Sequence, residues 1–388
     1  MLYLLKNNIS IDIINYIIEF ADQYDILLNI NEKDIDGNFP LLLAVNHNDL
    51  KILKCLVEYS KNHNIILNFN IKDNDGNTPL MKAIINKSPK LIKRLFKYSE
   101  NLWRKKFVID IVFGKFIKSY EKKRYISNDE INQWMKNDDI LIKINEKNNE
   151  GSYPFLQSID MNNTEIVKLH KRYAESHKID LNLNDKDINQ RYPLSCAIIK
   201  GSKEISDLIF EYAEHHNITL NIDDQGENDN YPLLNAIDNE DIETIKKLFD
   251  YAEKNNIIID MNKTNIYDNY SLLLAVDKNR KDLVELVINY AEHHYHENKQ
   301  LDIYKRNIFN SNPFQLSIEN DNINIVKLLI FYAYNHNIPL ETDIYEKFPR
   351  FKKNNNYNEI LKLFKNPSDA VNSLNNEPST SQNSQGNY

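Results

Sequence analysis

Glycine is scarce in this chain, with seven among 388 residues. Phosphate-cradling loops need several glycines in one short stretch, and none occurs here. Cysteine is scarcer still. Cys55 and Cys196 lie far apart in apolar helical stretches, which excludes a disulfide framework and fits a reducing compartment. No apolar run approaches the ~20 residues of a membrane span. The opening MLYLLKNN is too short an apolar run for a secretory signal, so the expected location is intracellular, cytoplasmic with the nucleus left open. An excess of base is missing as well. A net charge of −8 argues against general affinity for nucleic acid phosphates. Nucleophile elbows, His-Glu-x-x-His and Cys-x-x-Cys are absent. The expectation is therefore no enzyme, no cofactor and no metal, and a monomer that binds neither membrane nor nucleic acid. Heavy use of Asn, Ile, Lys and Tyr reads as drift toward an AT-rich base composition rather than as chemistry.

What the chain does have is one phrase, repeated. It reads FPLLLAV at Phe39–Val45, TPLMKAI at Thr78–Ile84, YPFLQSI at Tyr153–Ile159 and YPLSCAI at Tyr192–Ile198. It returns as YPLLNAI at Tyr231–Ile237, YSLLLAV at Tyr270–Val276 and NPFQLSI at Asn312–Ile318. The steps between the prolines (Ser271 standing in for one) are 39, 75, 39, 39, 39 and 42 residues. A fixed period of this size means stacked supersecondary units, not one globular core. The long step is expected to hide a decayed copy at GKFIKSY (Gly114–Tyr120). That gives eight phrase-bearing repeats over 39–347, with 99–148 decayed, a partial capping repeat at 1–38 and a C-terminal cap at 348–365. Terminal repeats must present a polar outer face, so atypical ends are expected. Residues 366–388, ending PSTSQNSQGNY, lack apolar periodicity and are expected to be disordered.

One repeat, Lys186 to Asp224, shows the physics. A polar turn leads to Pro193, whose missing N–H and fixed φ suit a first helical turn. Leu194, Ala197 and Ile198 give the short helix an apolar face. Its small residue belongs to a column: Ala44, Ala83, Ser119, Ser158, Ala197, Ala236, Ala275 and Ser317. Ser202 is expected to cap a second, longer helix with Glu204 in its first turn. That helix ends near Asn217, a plausible left-handed residue in place of glycine. An alternating, extended return follows. Asp75-Gly76-Asn77-Thr78-Pro79-Leu80 resembles the opening of the ankyrin repeat, and the resemblance runs from Met1 to Phe364. It implies an all-α helical repeat solenoid whose partners bind at the turn tips and the ends of the short helices. The period exceeds the ankyrin value of ~33 residues by about six. Tyr also replaces Thr in four copies, the His after Leu is absent and most turn glycines are gone.

Two columns invite sharper readings. His63, His177, His216, His294 and His336 recur near the end of the second helix, but stacked helices ~8–10 Å apart cannot share one ion. A polar residue at the negative helix end is the simpler account. His293, His294 and His296 form a tighter group, read as loop crowding with a metal site as the alternative. Phe20, Tyr59, Tyr98, Trp134, Tyr173, Tyr212, Tyr251, Tyr290 and Tyr332 could stack bases, yet their helical spacing makes them inter-repeat core. The basic stretch Trp103–Arg124 is either a docking patch for an anion or a relaxed, decayed copy.

By position, the resemblance places partner contacts on Asp36, Asp75, Glu150, Tyr267 and Phe309 at the tips. Asp160, Asp238, Asp277 and Glu319 are their counterparts on the short helices. The leading expectation is a non-enzymatic scaffold or adaptor binding a protein with a basic surface through an acidic face. A substrate-recruiting adaptor of an enzyme complex such as a ubiquitin ligase is the alternative. Catalysis in the decayed copy is a third reading.

Overall fold

Each short helix begins where proline, or Ser271 in one copy, sets the backbone. In the computed structural model, which describes residues 1–7, 10–102, 141–294, 300–340 and 354–375, these helices are Pro40–Asn46, Pro79–Ile85, Pro154–Asp160, Pro193–Ile199, Pro232–Asp238, Ser271–Asp277 and Pro313–Glu319. The residue before each is extended (φ −140°, ψ 161° at Tyr192), as the clash with a following proline requires. Seven residues cannot sustain a helix alone in water. Packing holds them: the small column from Ala44 to Ser317 is fully buried at every described position, which lets successive short helices within each unit touch.

The long helices are Leu50–Asn62, Thr164–His177, Lys203–His215, Ile242–Lys254, Lys281–His293 and Ile323–Asn335, with another over 89–102. Asp49, Asn163, Asp241 and Asn322 accept bonds from first-turn N–H groups that have no partner within the helix. Ser202 stands at the cap position, but its hydroxyl accepts no such bond. Asn217 is left-handed as expected, and so are Asn64, Asn256 and Asn337 at the equivalent ends. Among the described residues no strand forms, so the fold is an all-α helical repeat. None of their helices is long and apolar enough to cross a membrane.

The chain divides into two compact units, Met1–Leu220 and Asn221–Tyr388. In the first, Leu2–Lys6 packs on Pro40–Asn46, and Ile11–Gln23 on Leu50–Asn62. The N-terminal end thus carries both helices of a repeat; its first was hidden because MLYLLK lacks the phrase. Next, Pro79–Ile85 packs directly on Pro154–Asp160. Asn149 N–H donates to the Asp75 carbonyl at 3.0 Å, and Asn70 Nδ2 to the Leu141 carbonyl at 2.8 Å. Phe96 stacks on Tyr173 with centroids 4.1 Å apart. Pro79–Ile85 and Pro154–Asp160 are thus neighbouring short helices. The copy expected at Gly114–Tyr120, with Ser119 and Trp134, lies outside the described residues, as does the Trp103–Arg124 stretch. In the second unit Pro232–Asp238, Ser271–Asp277 and Pro313–Glu319 pack in order. The tail departs from expectation over 367–375, and beyond 375 it lies outside the described residues. Helix Pro367–Asn375 lies against Ile323–Asn335 and buries Ala370 completely, although its periodicity was too short to register.

Asparagine abundance has a structural role after all. Asn31, Asn145 and Asn262 each bridge two backbone groups of the next return. At Asn145, Nδ2 donates to the Asp180 carbonyl (2.7 Å) and Oδ1 accepts from Asn182 N–H (3.2 Å). Tyr in place of Thr forgoes a hydroxyl cap, yet Tyr153 Oη donates to the Asn182 carbonyl at 2.8 Å in the neighbouring return.

Where a tip glycine survives, the neighbouring tip is close. A Cβ on Gly76 (φ +80°) would come within 2.6 Å of Asn149 Oδ1 and 2.8 Å of its backbone N, whereas one on Gly201 (φ +62°) meets nothing within 4 Å. Both substitutions to alanine carry the left-handed cost of about 1–2 kcal/mol. Gly76→Ala should lose roughly 1–3 kcal/mol more through overpacking, and urea unfolding of the two variants would measure the gap.

Candidate functional site

The turn tips are built by one recurring device. A carboxylate or amide oxygen accepts two backbone N–H groups, two and four residues on, and so closes the loop on itself. In the first unit Asp34, Asp73, Asn148 and Asp187 do this. In the second, Asn265 holds Tyr267 and Asn269, and Asn307 holds Phe309 and Ser311, all at 2.9–3.1 Å. Successive tips are then tied together, because Ile308 N–H donates to the Tyr267 carbonyl (3.2 Å) and Asn307 Nδ2 to Asn269 Oδ1 (2.8 Å).

That scaffold brings the two aromatic tip residues together. The Tyr267 and Phe309 rings lie near-parallel, 22° apart, with centroids at 6.3 Å. They are 41% and 67% exposed, and Ile266 and Ile308 beside them are 48% and 57% exposed. Four apolar side chains on two neighbouring tips face solvent, where most exposed apolar residues stand singly. The sequence reading found the rings and missed both isoleucines, although the Ile-Tyr and Ile-Phe dipeptides were visible in register.

The acidic residues divide. At the first unit's tips, Asp36, Asp75 and Glu150 are exposed, and Asp36 pairs with Lys6 at 2.5 Å. Asp160 is not a bare charge. Arg191 reaches it at 3.1 Å and Lys200 at 2.9 Å, leaving its side chain 25% exposed. In the second unit Asp238 pairs with Lys278 at 2.7 Å, and Glu319 accepts from Gln315 Nε2 at 3.0 Å. Asp277 is exposed on the same face. The expected acidic stripe is thus interleaved with cations one residue further along the next short helix. Lys200 and Lys278 recur at that register, which is the signal the sequence offered for them.

The histidine column proves to be a set of clips from the end of a long helix to the preceding repeat. Each ring lies against a tyrosine four residues earlier, as in Tyr59–His63 (4.1 Å), Tyr212–His216 (3.9 Å) and Tyr332–His336 (4.4 Å). Each also approaches a carboxylate: His63 to Asp22 at 3.1 Å, His216 to Asp180 at 3.4 Å and His336 to Glu292 at 2.7 Å. The tyrosines are core. Tyr59, Tyr173, Tyr212, Tyr251, Tyr290 and Tyr332 are buried, while Phe20 at the terminal repeat is half exposed and Tyr98 intermediate. Cys196, a buried thiol, is pushed up to about 12 by desolvation, so it is no nucleophile at neutral pH.

Residues 1–106 match the family model for ankyrin repeats, in three copies. No curated protein matches the chain. Among solved structures it is similar to the ankyrin repeat domain of Bcl-3, a member of the IkappaB family. That match has 15% identity and a TM-score of 0.43, over 72% of this chain and 94% of that one. The human ASB11 ankyrin repeat domain matches at 14% identity and a TM-score of 0.41, over 72% and 91%. Residues 1–106 are thus similar to ankyrin repeats, and the described helix pairs beyond them are built on the same plan.

Proposed function

We propose that the protein is a non-enzymatic scaffold or adaptor that binds a partner protein through the tips and short-helix ends of its second unit. The observation that carries this is the exposed Tyr267–Phe309 pair, flanked by Ile266 and Ile308 and fixed by the Asn265 and Asn307 loops. Rigid aromatic anchors lose little conformational freedom on binding, and tyrosine is enriched among hot spots. Asp238, Asp277 and Glu319 lie on successive short helices of the same unit and favour a partner segment carrying basic residues.

Affinity capture with quantitative mass spectrometry tests the reading, comparing the intact chain with Tyr267→Ala/Phe309→Ala. A hot-spot pair worth about 2 kcal/mol or more should deplete its partner at least tenfold while the circular dichroism melt stays in place. Unchanged recovery would sink the site. Reversing Asp238, Asp277 and Glu319 to Lys should slow association of that partner at low salt, where the Debye length is ~30 Å, and matter less at 0.15 M.

A further inference from the structure

At the ends of two neighbouring long helices in the second unit, three metal-ligating side chains converge. Glu253 lies in the last turn of Ile242–Lys254, His293 ends Lys281–His293 and His294 is its cap. Their donor atoms all lie within 4.8 Å of one another.

The other clips show why this one is different. At His336 and His63 the imidazole meets its carboxylate at 2.7 and 3.1 Å, a direct contact with no room for an ion. At His294 the Glu253 carboxylate stands off at 4.0 Å, and a second imidazole is present. His177 and Glu100 are also apart, at 3.9 Å, but no second imidazole joins them among the described clusters. The His293 and His294 rings are 85° apart with centroids at 4.9 Å, and the Tyr290 ring lies 4.4 Å from His294. Three tetrahedral ligands each about 2.0–2.2 Å from one ion stand roughly 3.3–3.6 Å apart, so donors now within 4.8 Å of one another must close by about 1 Å. Rotation about χ1 and χ2 of these side chains covers that distance.

We propose that Glu253, His293 and His294 bind one divalent transition-metal ion of the zinc class, with water completing the shell, and so clamp two successive repeats. Two imidazoles and a carboxylate suit zinc and its first-row neighbours. Calcium and magnesium prefer all-oxygen sites. Glu253 and His293 are exposed, which gives the ion a path in. His296, the third histidine of the group in the sequence, lies outside the described residues.

Calorimetric titration of the full, untagged and chelator-treated chain with zinc chloride and with magnesium chloride tests this. Zinc should bind at one equivalent and raise the thermal midpoint, and magnesium should do neither. His293→Ala and Glu253→Gln should each weaken zinc binding by more than the ~10-fold that even an outer-shell partner can be worth. Circular dichroism reports whether each variant is folded. His63→Gln, at a clip with a single imidazole, should bind zinc like the parent. Failure of the parent to take up zinc, or uptake unchanged in both ligand variants, would overturn the proposal.

Discussion

Lowering the pH from 7 to 4 should destabilise the first unit by about 3 kcal/mol through a single residue, His170. Its ring is fully buried, edge-on to Phe96 (5.8 Å) and Phe155 (6.3 Å). Nδ1 donates to the Ile166 carbonyl at 3.0 Å, and Nε2 is buried with no hydrogen-bond partner among the described residues. Desolvation therefore penalises the imidazolium, lowering the pKa from 6.5 to about 4 despite the opposing bond to Ile166. The sign follows from proton binding. Below 6.5 the unfolded chain takes up a proton that the folded chain refuses until about 4. Stability is thus full above 6.5, falls as pH drops through that window and levels off below it. His170→Leu, of similar volume and with no orphan acceptor, should be neutral or slightly stabilising at pH 7 and should flatten this component. Urea unfolding of both proteins at pH 7 and pH 4.5 is the measurement. A parallel decline in the two would place the acid sensitivity elsewhere.

The stacked architecture was legible because the signals were periodic. Proline opening a short helix, a small residue at the sixth position of each phrase and an apolar stripe on the long helix recur at one interval, and repetition cancels local noise. Layer count was harder. The 75-residue step between Pro79 and Pro154 admits two 39-residue units by arithmetic, and arithmetic does not show that Pro79–Ile85 packs directly on Pro154–Asp160. Asparagine misled for a different reason. Its roles in left-handed ends, tip loops and bridges between returns depend on backbone geometry, and composition alone cannot separate them from base-composition drift. The candidate face was half legible. Register located Tyr267 and Phe309, but counter-ions such as Arg191 at Asp160 come from another layer, so a column of acids overstated the net charge.

Tyr212→Ala should cost about 3–5 kcal/mol, the range for truncating a large buried aromatic, whereas Tyr267→Ala should cost under roughly 0.5 kcal/mol. Tyr212 is fully buried, its ring stacks on His216 with centroids at 3.9 Å, and its hydroxyl accepts from Leu181 N–H at 3.3 Å in the preceding return. Truncation leaves a cavity between two repeats and strands a backbone donor. Tyr212→Phe separates these effects. It keeps the packing and loses the hydrogen bond, for about 1–3 kcal/mol. Tyr267 is two-fifths exposed, and its backbone, not its ring, carries the tip's hydrogen bonds. Denaturant unfolding of the three variants ranks them directly. If Tyr267→Ala lost as much stability as Tyr212→Ala, the tip aromatics would be structural and the proposed binding face would lose its anchor. A large gap, with Tyr212→Phe between the extremes, would mean that one tyrosine holds the repeats together while the other is free to meet a partner.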